Sequence, residues 1–335
     1  TTAASASSAA FRSSSTPGRA RARVLEQRGD VDGALADVAA LLEADERLAV
    51  GWALRGRLLR GRLAPMTAED ISRGVERGAA ELDRLSTKGT LLAETEGARA
   101  CQRALDRALE LEPALVDARC ERAALRLQTA DLRGALKDWE EVLAREPDRV
   151  DALLGRGFVG YMITEDPRGA ATALARAVEL RPNATWAWVV RGSALHRLDR
   201  HAEAIVCFTR AIALDPELHE AWNFRGVARR QSGDLTGAIE DYTRVLMLAP
   251  SSGQAWTNRA IARHQDEDHR GAVADADRSL EAEPGYFRAY LVRGYARVKL
   301  GLIAEGRSDL QKFVTLAPND PEAAEIRAIL TRKQD

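Results

Sequence analysis

Along most of this chain apolar and small residues recur every three or four positions, the spacing of one helix face, not every second position as on a strand. The apolar stretches come in pairs, split by short polar or glycine breaks such as residues 231–234 (QSGD) and 299–301 (KLG). Each pair ends in a run like 211–216 (AIALDP), 245–250 (VLMLAP) or 313–318 (FVTLAP). Proline lacks an N–H and clashes with the preceding helical turn, so it closes one unit and opens the next. Pro182, Pro216, Pro250, Pro284 and Pro318 stand 34 residues apart without exception, and Pro113 and Pro147 keep the same spacing upstream. The pattern predicts an all-α chain of tandem helix-turn-helix units.

Inside each unit particular residue types hold fixed places. Trp222, Gly226, Ala238, Tyr242 and Pro250 form one set, and Trp188, Gly192, Ala204, Phe208 and Pro216 form another. Tyr290, Gly294, Gly306, Leu310 and Pro318 follow in phase, as do Trp256, Ala260, Ala272, Ala276 and Pro284. Small residues are required where two helices cross closely, because a larger side chain forces the axes apart. These columns resemble the tetratricopeptide repeat family. The resemblance implies a right-handed superhelical solenoid of such repeats, in which the first helix of each unit lines a concave groove that holds a protein or peptide. Carried onto this chain, the groove comprises Phe158, Tyr161, Trp186, Val189, Asn223, Asn258, Ile261, Arg288 and Tyr295, with Ser193, Val227, Arg230, Gln254, Thr257 and Leu291 between them. Trp186 stands out because Trp188 already fills the packing column and a residue two places away cannot share its face. It serves either as a binding anchor or as packing against the adjacent repeat. The family's clamp for a chaperone's C-terminal carboxylate maps onto Asn223, Val227, Asn258, Arg288 and Val292; only Asn258 matches outright and Arg288 keeps the charge, which disfavours a co-chaperone.

One arginine per unit precedes the small residue of the first helix: Arg55, Arg122, Arg156, Arg191, Arg225, Arg259 and Arg293. Sixteen residues after four of them stand Asp138, Asp241, Asp275 and Asp309, and Arg21 with Asp37 repeats the relation. Arg156 and Arg191 meet Thr172 and Cys207 instead. The spacing predicts ion pairs between the two helices of a unit, strengthened by partial burial. An arginine column that lines the groove and binds an acidic ligand is the alternative. On the pairing reading, exchanging Arg225 and Asp241 is expected to restore what either single change loses.

The units predict a division into a flexible tail (1–17), repeat-like N-terminal helices (18–63), degenerate repeats with an atypical helix (64–112), a regular array (113–318) and a capping helix (319–335), with two degenerate repeats counted between Glu46 and Pro113. An atypical helix is expected over about 68–86, after the start signal at Thr67 to Asp70. The interval from Glu46 to Pro113 is one residue short of two periods. The C-terminal helix is expected to shield the last apolar face, as solenoids require.

Composition narrows the function. Forty-nine basic against fifty acidic residues leave a net charge of -1, so no global field attracts nucleic acid or an anionic membrane. No apolar run is long enough to span a bilayer, and the Ser/Thr/Ala-rich start lacks the core of a signal peptide. A chain beginning at Thr1 is expected to be a processed product or the end of something longer. Three widely spaced cysteines, Cys101, Cys120 and Cys207, fit neither a disulfide framework nor a zinc site, which points to a reducing, cytoplasmic compartment, with a processed or exported form left open.

Gly155, Gly157 and Gly160 match a dinucleotide fingerprint, but they fall inside a first helix where no strand precedes them. With Pro167 and a 35-residue unit they suggest a local irregularity. His196 and His201 recur as His264 and His269; a spacing of five across a helix end and turn is not expected to converge two imidazoles, so surface histidines and no metal are expected. No Walker loop, HExxH, GxSxG or paired-carboxylate set is present, so neither catalysis nor a cofactor is expected. The expected function is a scaffold that binds a peptide or protein through its groove. A permanent subunit of a larger assembly and the noncatalytic tail of a bacterial signalling enzyme are the alternatives.

Overall fold

The computed structural model describes residues 25–63, 88, 90–162 and 166–331. All long elements among these residues are helices. They are α1 (Val31–Ala44), α2 (Ala49–Gly61), α3 (Glu96–Leu111), α4 (Val116–Gln128), α5 (Leu132–Leu143), α6 (Val150–Met162), α7 (Pro167–Leu180) and α8 (Thr185–His196). There follow α9 (His201–Leu214), α10 (His219–Gln231), α11 (Leu235–Leu248), α12 (Gly253–Gln265), α13 (His269–Ala282), α14 (Phe287–Lys299), α15 (Ile303–Leu316) and α16 (Pro321–Thr331). The chain forms two compact units, one ending at Val190 and one beginning at Arg191.

Three local devices start and stop the helices. The first is an Asp-x-x-Gly cap: Asp30, Asp131, Asp166, Asp234 and Asp268 each accept a hydrogen bond from the N–H of the glycine three residues on, at 2.8–3.0 Å. A Cβ on any of those glycines would sit within 2.4 Å of the aspartate oxygen, so the cap and the glycine require each other. Pro167 is the first residue of α7 behind its cap Asp166, a regular helix start, while residues 163–165 of the preceding turn lie outside the described residues. The second device is the turn between paired helices, where Gly233 and Gly301 take left-handed backbone and Asp199 and Glu267 do the same with φ of 58° and 65°. The third is the first-helix aromatic. Trp188, Trp222 and Trp256 donate their indole N–H to the carbonyls of Pro182, Pro216 and Pro250 at 2.9–3.0 Å, tying each first helix to the end of the one before.

The paired helices close on small residues as the sequence leads one to expect. A Cβ at Gly226 would meet the Tyr242 ring at 2.8 Å, one at Gly192 the Phe208 ring at 2.7 Å, and one at Gly294 the Leu310 side chain at 2.9 Å. Gly155 and Gly157 carry the ring of Trp139 and the side chain of Leu174 in the same way, which gives two glycines of the rejected fingerprint a packing role inside α6. At the C-terminal end α16 lays Ala323 and Ile326 over Leu310, Phe313 and Val314 of α15.

In the first unit the structure departs from the expected map. Helix α2 pairs with α3: Gly56 carries the Leu105 side chain, and the Cys101 thiol donates to the Gly56 carbonyl at 3.2 Å. These two helices therefore make one repeat, divided by the 34 residues 62–95, where the sequence suggested two degenerate repeats. The misreading has a simple cause: the intervening stretch is one period long, so everything after it falls within one residue of the upstream phase. The helix expected over 68–86, the tail over 1–17 and Arg21 all lie outside the described residues.

The arginine column is internal bracing. Arg225 grips Asp241 with Nε and Nη2 at 3.0 and 2.7 Å, and Arg122 with Asp138, Arg259 with Asp275 and Arg293 with Asp309 repeat the two-pronged geometry. Each arginine also reaches back sixteen residues to the second helix of the preceding repeat, at Asp106, Thr209, Thr243 or Asp277. The guanidinium lies over the aromatic of its own helix, 4.8 Å from the Trp222 and Trp256 rings. A second arginine, one turn later, closes on the same carboxylate: Arg126 and Arg297 at 2.7 Å, Arg263 at 2.9 Å and Arg229 at 3.0 Å. Arg156 bonds to the Gly169 carbonyl at 3.2 Å, having no acid opposite it. The second arginine overturns the expected charge exchange, since an arginine at 241 would face Arg229.

Removing one partner of such a buried cluster strands the others. Asp241→Ala should lower unfolding free energy by about 3–5 kcal/mol in a urea titration, whereas Glu281→Ala, which breaks an exposed pair with Arg278, should change it by less than about 1 kcal/mol. Gly226→Leu should cost at least about 1–3 kcal/mol in the same titration, because its side chain must displace the Tyr242 ring.

Candidate partner-binding site

In the second unit the first helices α10, α12 and α14 carry their bracing arginines toward the paired second helices. Side chains one turn away on the same helices are left to face a shared pocket of about 310 Å³. Its lining is Ile261 and His264 from α12, Leu291, Val292 and Tyr295 from α14, and a border of Arg230, Gln265, Arg288 and Glu322. Its volume lies at the small end of the range for pockets that bind small molecules or side chains.

The apolar wall is built from residues that recur at helical spacing. Ile261 and Leu291 are partly buried, and the rings of Tyr295 and His264 stack at 6.5 Å and 19°. Burial, reinforced by the carboxylates of Glu322 and Glu325, raises the Tyr295 phenol above its ordinary pKa, so it is a neutral donor here. Burial, together with His269 and Lys299, lowers the His264 imidazole. Arg230 rests against Gln265 at 3.4 Å, and Arg288 is exposed with its guanidinium 5.9 Å from the Phe287 ring. The arrangement offers an apolar recess with two cationic groups and the Glu322 carboxylate at its border.

Ile261, Arg288 and Tyr295, expected from sequence to line a groove, converge on this pocket, joined by Arg230 and Leu291. Others of the set lie elsewhere. Phe158, Tyr161, Val189 and Asn223 are buried, at 4, 9, 1 and 3% exposure, so their side chains present almost no surface. Asn258 donates to the Asn223 side chain at 3.0 Å, which turns the two candidate clamp asparagines toward each other. In the first unit Trp186 is half-buried and meets Phe158 edge-on at 6.4 Å, packing on the neighbouring repeat. Gln265 and Glu322 were missed. Glu322 sits in the terminal helix, whose approach to the pocket no 34-residue spacing announces.

The histidine pairs also depart from expectation. The rings of His196 and His201 lie 5.1 Å apart and those of His264 and His269 lie 4.8 Å apart. The left-handed residues Asp199 and Glu267 reverse the chain between each pair and bring the end of one helix onto the start of the next. Among the described residues no group of three or more His, Cys, Asp or Glu side chains is placed to hold a metal ion, and no helix is long and apolar enough to cross a membrane.

Sequence profiles of the tetratricopeptide repeat match residues 186–218, 219–252 and 257–321. These stretches are tetratricopeptide repeats. The repeat geometry continues upstream, where Arg122 and Asp138 brace α4 against α5. No curated protein matches the chain significantly. Among solved structures it is similar to PilW, a widely conserved type IV pilus biogenesis factor, at 19% identity and TM-score 0.53 over 65% of this chain and 99% of that one. It is similar to YrrB, a tetratricopeptide protein with an unusual peptide-binding site, at 20% identity and TM-score 0.52 over 56% of this chain and 96% of that one. PilF of Pseudomonas aeruginosa shares 18% identity with TM-score 0.52 over 64% of this chain and 97% of that one. Identities at this level speak for the repeat fold alone.

The histidines set a pH dependence for these repeats. Burial followed by the partner His201 and by Arg230 lowers His196 below its ordinary value of 6.5 against the pull of Asp199, and His264 is lowered likewise. Below pH 6.5 the unfolded chain then binds more protons than the folded one, so stability present above that value is lost as pH falls through the folded pKa values. The melting temperature should drop as pH is lowered from about 7 to about 5. A His196→Phe, His264→Phe double variant should flatten that slope.

Proposed function

We propose that this protein is a noncatalytic scaffold that holds a peptide or a short protein segment in the pocket lined by α10, α12 and α14. The observation that carries the reading is the convergence of Ile261, Leu291 and Tyr295 with Arg230 and Arg288 on one open recess. The bracing arginines are engaged by aspartates, whereas Arg288 makes no ion pair among the described residues and is available to a partner. An apolar residue beside an acidic one is the ligand feature that fits. Tetratricopeptide repeats bind proteins and peptides, and the pocket supplies a specific place for such binding here.

A second reading, a lasting subunit of a larger assembly, is favoured by the exposed Val206, Met247 and Leu316 on α9, α11 and α15 of the second unit. The two separate experimentally. Peptides selected from a displayed random library on the purified chain should lose at least about tenfold in affinity on Arg288→Glu and on Ile261→Asp, with both variants folded by circular dichroism. Peptides that bind all three proteins equally would remove the pocket from the account. Val206→Ser with Met247→Ser should leave the selected peptides' affinity unchanged.

A further inference from the structure

Four of the chain's five histidines stand in two pairs at the same place in the repeat, His196 with His201 and His264 with His269. Packing does not ask for imidazole there. The equivalent positions of other repeats hold Leu127 and Leu132, Arg230 and Leu235, and Val298 and Ile303. In both pairs the left-handed turn residue between the histidines is acidic, Asp199 or Glu267, where Gly233 and Gly301 serve elsewhere.

We propose that each pair is a two-histidine chelate for a divalent transition-metal ion such as Zn²⁺. Three observations on geometry and bonding support this. With metal–nitrogen bonds of about 2.0–2.1 Å and roughly 1.1 Å from ring nitrogen to ring centre, two imidazoles on a tetrahedral ion have centroids about 5 Å apart. The rings here are 5.1 and 4.8 Å apart, tilted by 48° and 44°. The Nδ1 atoms of all four histidines are buried without a hydrogen-bond partner, a cost that an ion bound there would relieve. In the first pair a carboxylate oxygen of Asp199 lies 4.0 Å from His201 Nε2, the ring nitrogen other than the buried Nδ1, where it can orient the ring.

Burial and the neighbouring imidazole favour neutral His196 and His264, the form that ligates. The positive groups facing the pairs, Arg230 toward His196 and Lys299 toward His264, work against a cation, and at the first pair Asp199 offsets this. Two protein ligands leave coordination positions open on each ion, for water or for a carboxylate or imidazole brought by a partner. Nitrogen ligands with open positions suit zinc, copper or nickel over magnesium or calcium.

The test is calorimetric titration of ZnCl₂ into the purified chain at neutral pH, with MgCl₂ as the comparison ion. The expected result is saturable uptake of two Zn²⁺ per chain and none of Mg²⁺. His269→Phe should remove one site, and His201→Phe with His269→Phe should remove both, while His219→Ala retains both. Phenylalanine keeps an aromatic ring in place, and an unchanged circular dichroism melt without metal verifies the fold of each variant. Zinc should raise the melting temperature of the wild type and not of the double variant. No saturable uptake by the wild type, or uptake that survives in the folded double variant, would overturn the proposal.

Discussion

A carboxylate held between two arginines is the constraint from which the repeat geometry follows. Asp138, Asp241, Asp275 and Asp309 are almost fully buried, and burying a charge is tolerable only when its partners are close and its lone pairs are filled. Arginines at consecutive turns of the first helix meet that condition together, and only at one rotation and height of that helix against the second. The back-reach of the first arginine to Asp106, Thr209, Thr243 or Asp277 extends the same requirement to the preceding repeat. Packing of glycine against Tyr242 or Phe208 brings the helices close; the carboxylate fixes which arrangement of close helices is allowed.

This bracing also explains why the repeats can offer a binding surface. Stacking an arginine on Trp222 or Trp256 and tying it to two second helices turns a long cationic side chain inward, away from the recess lined by Ile261, Leu291 and Tyr295. What remains on that face is sparse: an isoleucine, a leucine, a tyrosine, and arginines that have no aspartate to hold them. On the proposed reading, selectivity would come from these few groups in a small recess.

Much of this was legible in the residues. The proline period, the small-residue columns and the sixteen-residue spacing of arginine and aspartate are properties of a repeated frame, and repetition makes a local pattern readable. Three features were not legible. The second arginine, four residues after the first, gives no signal of its own, because nothing in one helix reveals which carboxylate lies across from it. The histidine pairs were judged from helix spacing, while their approach depends on left-handed backbone at Asp199 and Glu267, where glycine is the usual signal and is missing. Groove membership was read from one position per helix turn, and burial of Phe158, Tyr161 and Val189 depends on neighbouring side chains that no single-helix pattern contains.

The divided repeat in the first unit has a consequence of its own. Helices α2 and α3 hold each other through Leu105 under Gly56 and a thiol bonded to a carbonyl, so the ends of residues 62–95 are fixed by the helices on either side. That clasp is made by residues far apart in sequence, so it fixes where residues 61 and 96 stand independently of the chain between them. A nick or graft between these two positions is therefore expected to leave the packing of α2 on α3 in place.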